Sequence, residues 1–283
     1  MTRIDQFESF FKSAARTPYK HRRVPVEKVL VITDLDDKDA WELQARLRSI
    51  FQALGPATWV DAAAGRGRSV GELLEIVEEE KADVIVTYRS LYSEGWRWPF
   101  SLGEHLDVLT QATTTPVLVM PRPDRESFWG QDDLGTSSVM AITDHLNGDE
   151  RLVHWATRFT AEKGLLTLAH VEDEVVFEHY LETIAKIPAI ETEPARRLLE
   201  RQLLKDPADY IETCRDALAD EGLAIEVEAV VEFGHRLADV ERLVGERDVD
   251  LLVIETKDED QLAMHGLAYP IAVEMRETPL LML

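Results

Sequence analysis

The feature that most constrains this chain is a segment it uses twice. Thr115-Pro116-Val117-Leu118-Val119-Met120 returns as the last six residues of the sequence, Thr278-Pro279-Leu280-Leu281-Met282-Leu283. Each copy is Thr-Pro followed by an unbroken apolar run. A run without polar alternation fits a parallel strand buried on both faces, and proline at its start needs no ladder donor. A second pair stands upstream: Val29-Leu30-Val31-Ile32-Thr33-Asp34 and Val139-Met140-Ala141-Ile142-Thr143-Asp144. Both are apolar strands ending in Thr-Asp with a helical pattern behind them. The chain reads as one α/β unit written twice.

Composition narrows the partners. With 54 acidic and 31 basic residues the formal net charge is −23, which repels nucleic acid and anionic membrane surfaces. The single cysteine, Cys214, allows no internal disulfide and suits a reducing compartment. No apolar run reaches the ~20 residues that span a bilayer, and the N-terminus has no signal-peptide core, so a cytoplasmic protein is expected.

Five boundaries follow. Residues 1–24 belong to neither repeat; Ile4, Phe7, Phe10, Phe11 and Ala14 fall at helical spacing, and Lys20 to Arg23 continue a basic tail. The expected arrangement is a helix docked on its own domain with the tail in solvent. Residues 25–123 form the first unit, 124–135 a polar linker, and 136–283 the second unit with a helical insertion over 175–221, broken at Pro188, Pro194 and Pro207. Strands alternating with helices in both units predict parallel sheets flanked by helices. From Asp34 to Asp144 is 110 positions, but from Pro116 to Pro279 is 163, so the second unit holds 53 extra residues. These match the strand at Leu165 and the helices behind it, leaving four strands in the first unit against five.

Several residues are candidates for chemistry. Asp34-Leu35-Asp36 follows an apolar strand, as the nucleophile pair of a magnesium-dependent phosphohydrolase does, although Lys38 stands where Thr or Val is expected and Asp144 is followed by His145-Leu146. Asp132-Asp133 reads as a solvated turn. His145, His154, His170 and His179 lack the spacing zinc favours, and Cys214 reads as a core filler beside Tyr210, Ile211 and Leu218. Gly65-Arg66-Gly67-Arg68-Ser69 is the best candidate anion loop, with a helix start behind it. The matching place in the second unit is Phe233-Gly234-His235-Arg236-Leu237, which keeps Gly234 and Arg236.

Together, the strand ending in Asp, the buried strands Asp83-Val84-Ile85-Val86 and Asp250-Leu251-Leu252-Val253, and the closing Pro-apolar strand resemble the universal stress proteins. The resemblance covers residues 25–283 as a tandem pair. It implies two flavodoxin-like, HUP-type α/β domains, paired through their last strands within the chain or as a homodimer. Nucleotide-binding members of that family hold ATP phosphates on a loop of pattern G-x2-G-x9-G-[ST] after the fourth strand. Here Tyr88 and Leu91 take the first two glycine positions, Gly103 the third, and Glu104 follows it; the second unit gives Glu255, Asp258 and Gly266, then Leu267. Carboxylates at Glu255, Asp258, Glu259 and Asp260 would repel a triphosphate. The loop pattern is lost in both units, so no ATP cofactor and no metal are expected.

The resulting expectation is a non-catalytic stress-response protein that acts through binding and association. Asp34, Tyr88, Arg89, Gly103, Asp144, Gly234, Arg236 and Gly266 face any surviving ligand pocket at the carboxyl ends of the strands. Trp96, Arg97 and Trp98 could add stacking or pairing, with aromatic packing between repeats as the alternative. The helices of 175–221 are the candidate protein-facing element. Two other readings stay open: a small-ligand or nucleotide sensor with an altered pocket, and a phosphohydrolase centred on Asp34.

Overall fold

The computed structural model describes residues 18–62, 67–93, 100–143, 150–256 and 268–283. The first half runs β1 (Lys28–Val31), α1 (Asp37–Ile50), a 3-10 turn (Gln52–Leu54), β2 (Thr58–Asp61), α2 (Val70–Glu80), β3 (Val84–Tyr88), α3 (Glu104–Ala112) and β4 (Val117–Met120). After α4 (Glu126–Trp129), the second half runs β5 (Ser138–Thr143), α5 (Glu150–Phe159), β6 (Leu165–Asp173), α6 (Glu174–Ala185) and α7 (Thr192–Asp220). It closes with β7 (Glu226–Gly234), α8 (Arg236–Glu246), β8 (Leu251–Ile254), α9 (Ala268–Glu274) and β9 (Leu280–Met282).

Local chemistry accounts for these limits. Asp36 caps α1 by accepting from the Asp39 amide, and Ala40, Leu43, Leu47 and Ile50 turn its apolar stripe inward. Ser69 and Glu72 form a reciprocal capping box at the start of α2, which stops at Lys81 in the left-handed conformation. The closing strands β4 and β9 are buried at every position, as their unbroken apolar runs require.

The nine strands among the described residues form one sheet, in the order β2-β1-β3-β4-β9-β8-β5-β6-β7. Neighbours run parallel except at β4 and β9, which meet antiparallel. There Leu118 faces Leu281, Val117 faces Met282 and Val119 faces Leu280. Leu118 and Leu281 are equivalent positions behind Pro116 and Pro279, and their flanking residues are exchanged, the register a two-fold axis produces. The halves therefore meet through their last strands.

Within the second half the order is third, second, first, fourth, fifth strand, the Rossmann-type doubly wound order rather than the flavodoxin-like 2-1-3-4-5 expected from the sequence. The first half keeps this order without the third strand. This corrects one expectation from the sequence. β2 pairs beside β1 as β6 pairs beside β5. The surplus of the second half is therefore β7 with α6 and α7, not the strand at Leu165. The loops around Gly67 and Gly234 are then not equivalents, since one follows β2 and the other follows the added edge strand.

Two further segments differ from expectation. Pro207 does not end a helix: it is buried in the interior of α7, which runs through it. The linker is not merely polar, because α4 buries Phe128 and Trp129. The Trp129 Nε1 donates to the Pro121 and Arg122 carbonyls, and the Arg46 guanidinium lies 5.2 Å above its ring.

The amphipathic helix expected near the N-terminus lies in residues 1–17, outside the described residues. The tail that follows is anchored at Tyr19, while Lys20, Arg22 and Arg23 are exposed as expected. Tyr19 is buried against the His154 and Tyr210 rings, and its amide donates to Thr213 on α7. Arg158 of α5 then ties the halves together. It donates to the Val24 carbonyl and to the Ala53 and Leu54 carbonyls at the end of the 3-10 turn, beside an edge-on Phe51–Phe159 pair.

Candidate functional site

The carboxyl ends of β1 and β3 bring Thr33, Asp34 and Tyr88 together. Parallel sheets of this order place ligands here. An open cleft of about 410 Å³ is lined by Thr33, Asp34, Leu35, Asp36, Asp37, Arg68 and Tyr92.

Asp34 is engaged on both carboxylate oxygens. The buried Tyr88 hydroxyl donates to Oδ1, and the Tyr92 amide donates to Oδ2 at 2.9 Å. The Asp34 amide in turn donates to the Tyr88 oxygen at 3.0 Å, and the Tyr92 hydroxyl reaches the Thr33 carbonyl at 3.1 Å. Burial, and next the hydrogen bond to Asp34, raise the Tyr88 phenol well above its ordinary range, so it serves as a neutral donor. Burial and then the Asp34 charge also push Tyr92 upward, with Arg68 opposing.

The loop that follows β3 folds inward. Ser90 and Tyr92 take left-handed φ values of 60° and 53°, a cost of about 1 kcal/mol or more each that the surroundings must offset. The Ser90 amide donates to the Leu102 carbonyl at 2.9 Å. Gly103 caps α3 at φ 94°, and a Cβ there would lie 3.0 Å from the Ser90 Cα. Glycine is required at this position so that the loop can close on the helix start. Among the described residues of this loop, the Ser90, Tyr92 and Ser93 amides donate to the Leu102 carbonyl, the Asp34 carboxylate and the Ser90 carbonyl.

Arg89 does not face the cleft, contrary to expectation. It is buried, and its guanidinium donates to the Ala272 and Met275 carbonyls at the end of α9 in the other half. Burial lowers its pKa to about 10, with the nearby Arg276 acting the same way. It is a helix-end clamp across the junction, complementary to the negative end of the α9 dipole.

The second anion candidate also closes on itself. A Cβ on Gly234 would meet the Asp239 carboxylate, which folds back to accept the His235 amide at 2.6 Å at the start of α8. The carboxylate occupies the helix terminus that an anion would use. The Arg236 side chain, Asp144, Gly266, Trp96, Arg97, Trp98, Gly65 and Asp258 to Asp260 lie outside the described residues. Glu255 pairs with Arg151 at 3.4 Å. Cys214 is fully buried, and burial pushes its thiol up to about 12, which leaves it in the core as expected.

Sequence reasoning had no signal for Tyr92 as the residue that seals Asp34, beyond a tyrosine near the end of β3. Among the described residues, no three His, Cys, Asp or Glu side chains gather as a metal would require. None of the described helices is long and apolar enough to cross a membrane.

No family model and no curated relative matches the sequence. Solved structures do share the fold. One from Pseudomonas aeruginosa UCBPP-PA14, assigned provisionally as a universal stress protein, superposes with a TM-score of 0.50 at 14% identity, covering 91% of this chain and 93% of that one. A functionally unknown protein of Pseudomonas aeruginosa PAO1 gives 0.49 at 14% identity, over 91% and 92% of the two chains. A universal stress protein of Archaeoglobus fulgidus DSM 4304 gives 0.47 at 13%, over 91% and 85%. At this identity the likeness is one of fold: an α/β chain with a mostly parallel sheet flanked by helices, of the universal stress protein type.

Proposed function

We propose that this chain, built on the universal stress protein fold, serves in a stress response by binding and association rather than by catalysis. In this reading, the ATP position is given up in both halves. One observation carries it: both oxygens of Asp34 are held by Tyr88 and Tyr92, and the loop behind them is folded onto Gly103. A ligand that needed Asp34 as its main acceptor would compete with these internal bonds, each worth about 1 kcal/mol net and more where a carboxylate is involved. Like charge adds to this in the second half, where Glu255 opens an acidic run. The proposed compartment is the cytoplasm.

Calorimetric titration with ATP and magnesium tests the reading. The expected result is no binding heat up to millimolar nucleotide. Micromolar, stoichiometric binding that is abolished by substitutions in Glu255 to Asp260 would overturn it.

The cleft beside Arg68 favours a second reading, a sensor with an altered pocket. Native mass spectrometry of freshly purified protein decides this, since a retained ligand adds its mass to the chain. A phosphohydrolase centred on Asp34 has less support, because Asp36 is engaged as the α1 cap and Asp34 is held on both sides. It predicts magnesium-dependent turnover of a phosphate ester that disappears in Asp34→Asn.

A further inference from the structure

We propose that the α6–α7 hairpin is the surface on which this chain pairs with a second copy of itself. The inference rests on the reading that the protein acts by association, and supplies the partner.

The hairpin is held at its base and bare above it. Phe177 and Leu181 are buried, with Phe177 stacked on Phe233 at 4.7 Å, and Arg196 grips Glu178 through two bonds of 2.7 and 2.8 Å. The arm therefore has a fixed shape. Its outer surface carries apolar side chains among the charged ones: Val175 and Tyr180 are 65% and 60% exposed, with Val176, Ile187, Ile190 and Leu198 also in solvent. These are six of the nine large apolar side chains exposed among the described residues, gathered in 24 consecutive positions. Scattered apolar residues on a surface need no explanation, but their concentration in one short arm does.

Charge selects the occupant. Residues 174–205 carry five Lys or Arg against six Glu, close to neutral in a chain of net charge −23. Two copies repel over most of their surfaces and least here. The charges are also sorted. Those on α6 are Glu174, Glu178 and Glu182, with no Lys or Arg, whereas the first half of α7 carries Arg196, Arg197, Arg201 and Lys205 against Glu193 and Glu200. Arg196 is already bonded to Glu178 within the hairpin and Lys205 to Asp209; a two-fold axis that sets α6 of one chain against α7 of the other places Glu174 and Glu182 opposite Arg197 and Arg201 twice.

Two other self-pairing routes are blocked. The last strands are already spent on each other within the chain. Along the outer edge strand β7, Arg215 donates to the Val227 carbonyl at 3.0 and 3.2 Å, and Glu226, Glu228 and Glu232 line the strand. Charged side chains and a capped carbonyl keep that edge from accepting another strand.

Sedimentation velocity on the full chain, from low to high micromolar concentration, tests the proposal. The expected result is a reversible dimer in the wild type. Val176→Glu with Tyr180→Glu should weaken it about a hundredfold, and Arg197→Glu with Arg201→Glu about tenfold. Adding Glu174→Arg and Glu182→Arg to the second variant should restore pairing by swapping the charges back into opposition. Unchanged thermal midpoints and circular dichroism establish that these surface variants fold. A wild type that stays monomeric, a dimer indifferent to Tyr180→Glu, or a charge swap that restores nothing would overturn the proposal. A monomer that takes up no nucleotide would sink this inference and leave the proposed function standing, while a dimer that binds ATP would do the opposite.

Discussion

The two halves share a strand order and have gone in opposite directions. The first half has four strands and turns its polar residues inward: Asp34 to Tyr88 and Tyr92, Arg89 to the end of α9. The second half has five strands and spends its surplus on β7 and a helical arm whose apolar side chains face water. Side chains at the ends of parallel strands remain available for ligands only while nothing in the chain is better placed to bond them. In the first half something is. The lesson is that residues at a candidate site can keep their position while taking partners from their own chain.

The contrast breaks most decisively at the junction. Arg89→Ala should destabilise the chain by about 3 kcal/mol, because two helix-end carbonyls lose a buried, charged donor. Thermal unfolding should show a fall in midpoint of about 6–10 °C. If the midpoint holds, Arg89 is not the clamp described. Arg158→Ala, half-buried and bonded to the Val24, Ala53 and Leu54 carbonyls, should cost somewhat less.

Next in size is Gly103→Ala. At φ 94° with Ser90 Cα 3.0 Å from the added Cβ, the loop must shift, and a loss of about 2 kcal/mol is expected in urea unfolding. Gly71, which has nothing near its Cβ direction, is the control and should change far less. Tyr88→Phe should follow at about 1–2 kcal/mol, since it strips a donor from Asp34 and leaves the carboxylate partly unpaired.

The smallest effect belongs to pH. Burial, and then neighbouring His154, hold the His21 imidazole below its ordinary value of 6.5, while Glu221 opposes. The folded state thus favours the neutral ring. Its contribution to stability is complete above pH ~6.5 and is lost as pH falls through the lowered folded value. His21→Gln should flatten the midpoint-against-pH curve on the acid side. A curve that keeps its wild-type slope would place the titration elsewhere.

Much of the fold was legible because it rests on local pattern. The Thr-Pro-apolar repeats at Val117 and Leu280, with the apolar runs that lead into Thr33 and Thr143, marked the first and last strand of each half in chain order, and the 53-residue surplus marked four strands against five. Which strand was surplus needed the pairing itself, since β2 and β7 both precede a helix. Pro207 misled because a helix can carry proline where tertiary burial outweighs the lost backbone bond. At the candidate site, the approach of Asp34 to Tyr88 at the strand ends was legible, but their bonding was not. The partners that decide it come from far along the chain: Asp34 meets Tyr92 58 positions on, and Arg89 meets Ala272 183 positions on. No local period records contacts of that range.

The most direct test of the proposed loss of ATP binding is titration of the full chain with ATP and magnesium, run in parallel on the wild type and on Tyr92→Gly. The account predicts no binding heat in the wild type. A stoichiometric, micromolar isotherm in the wild type would contradict it.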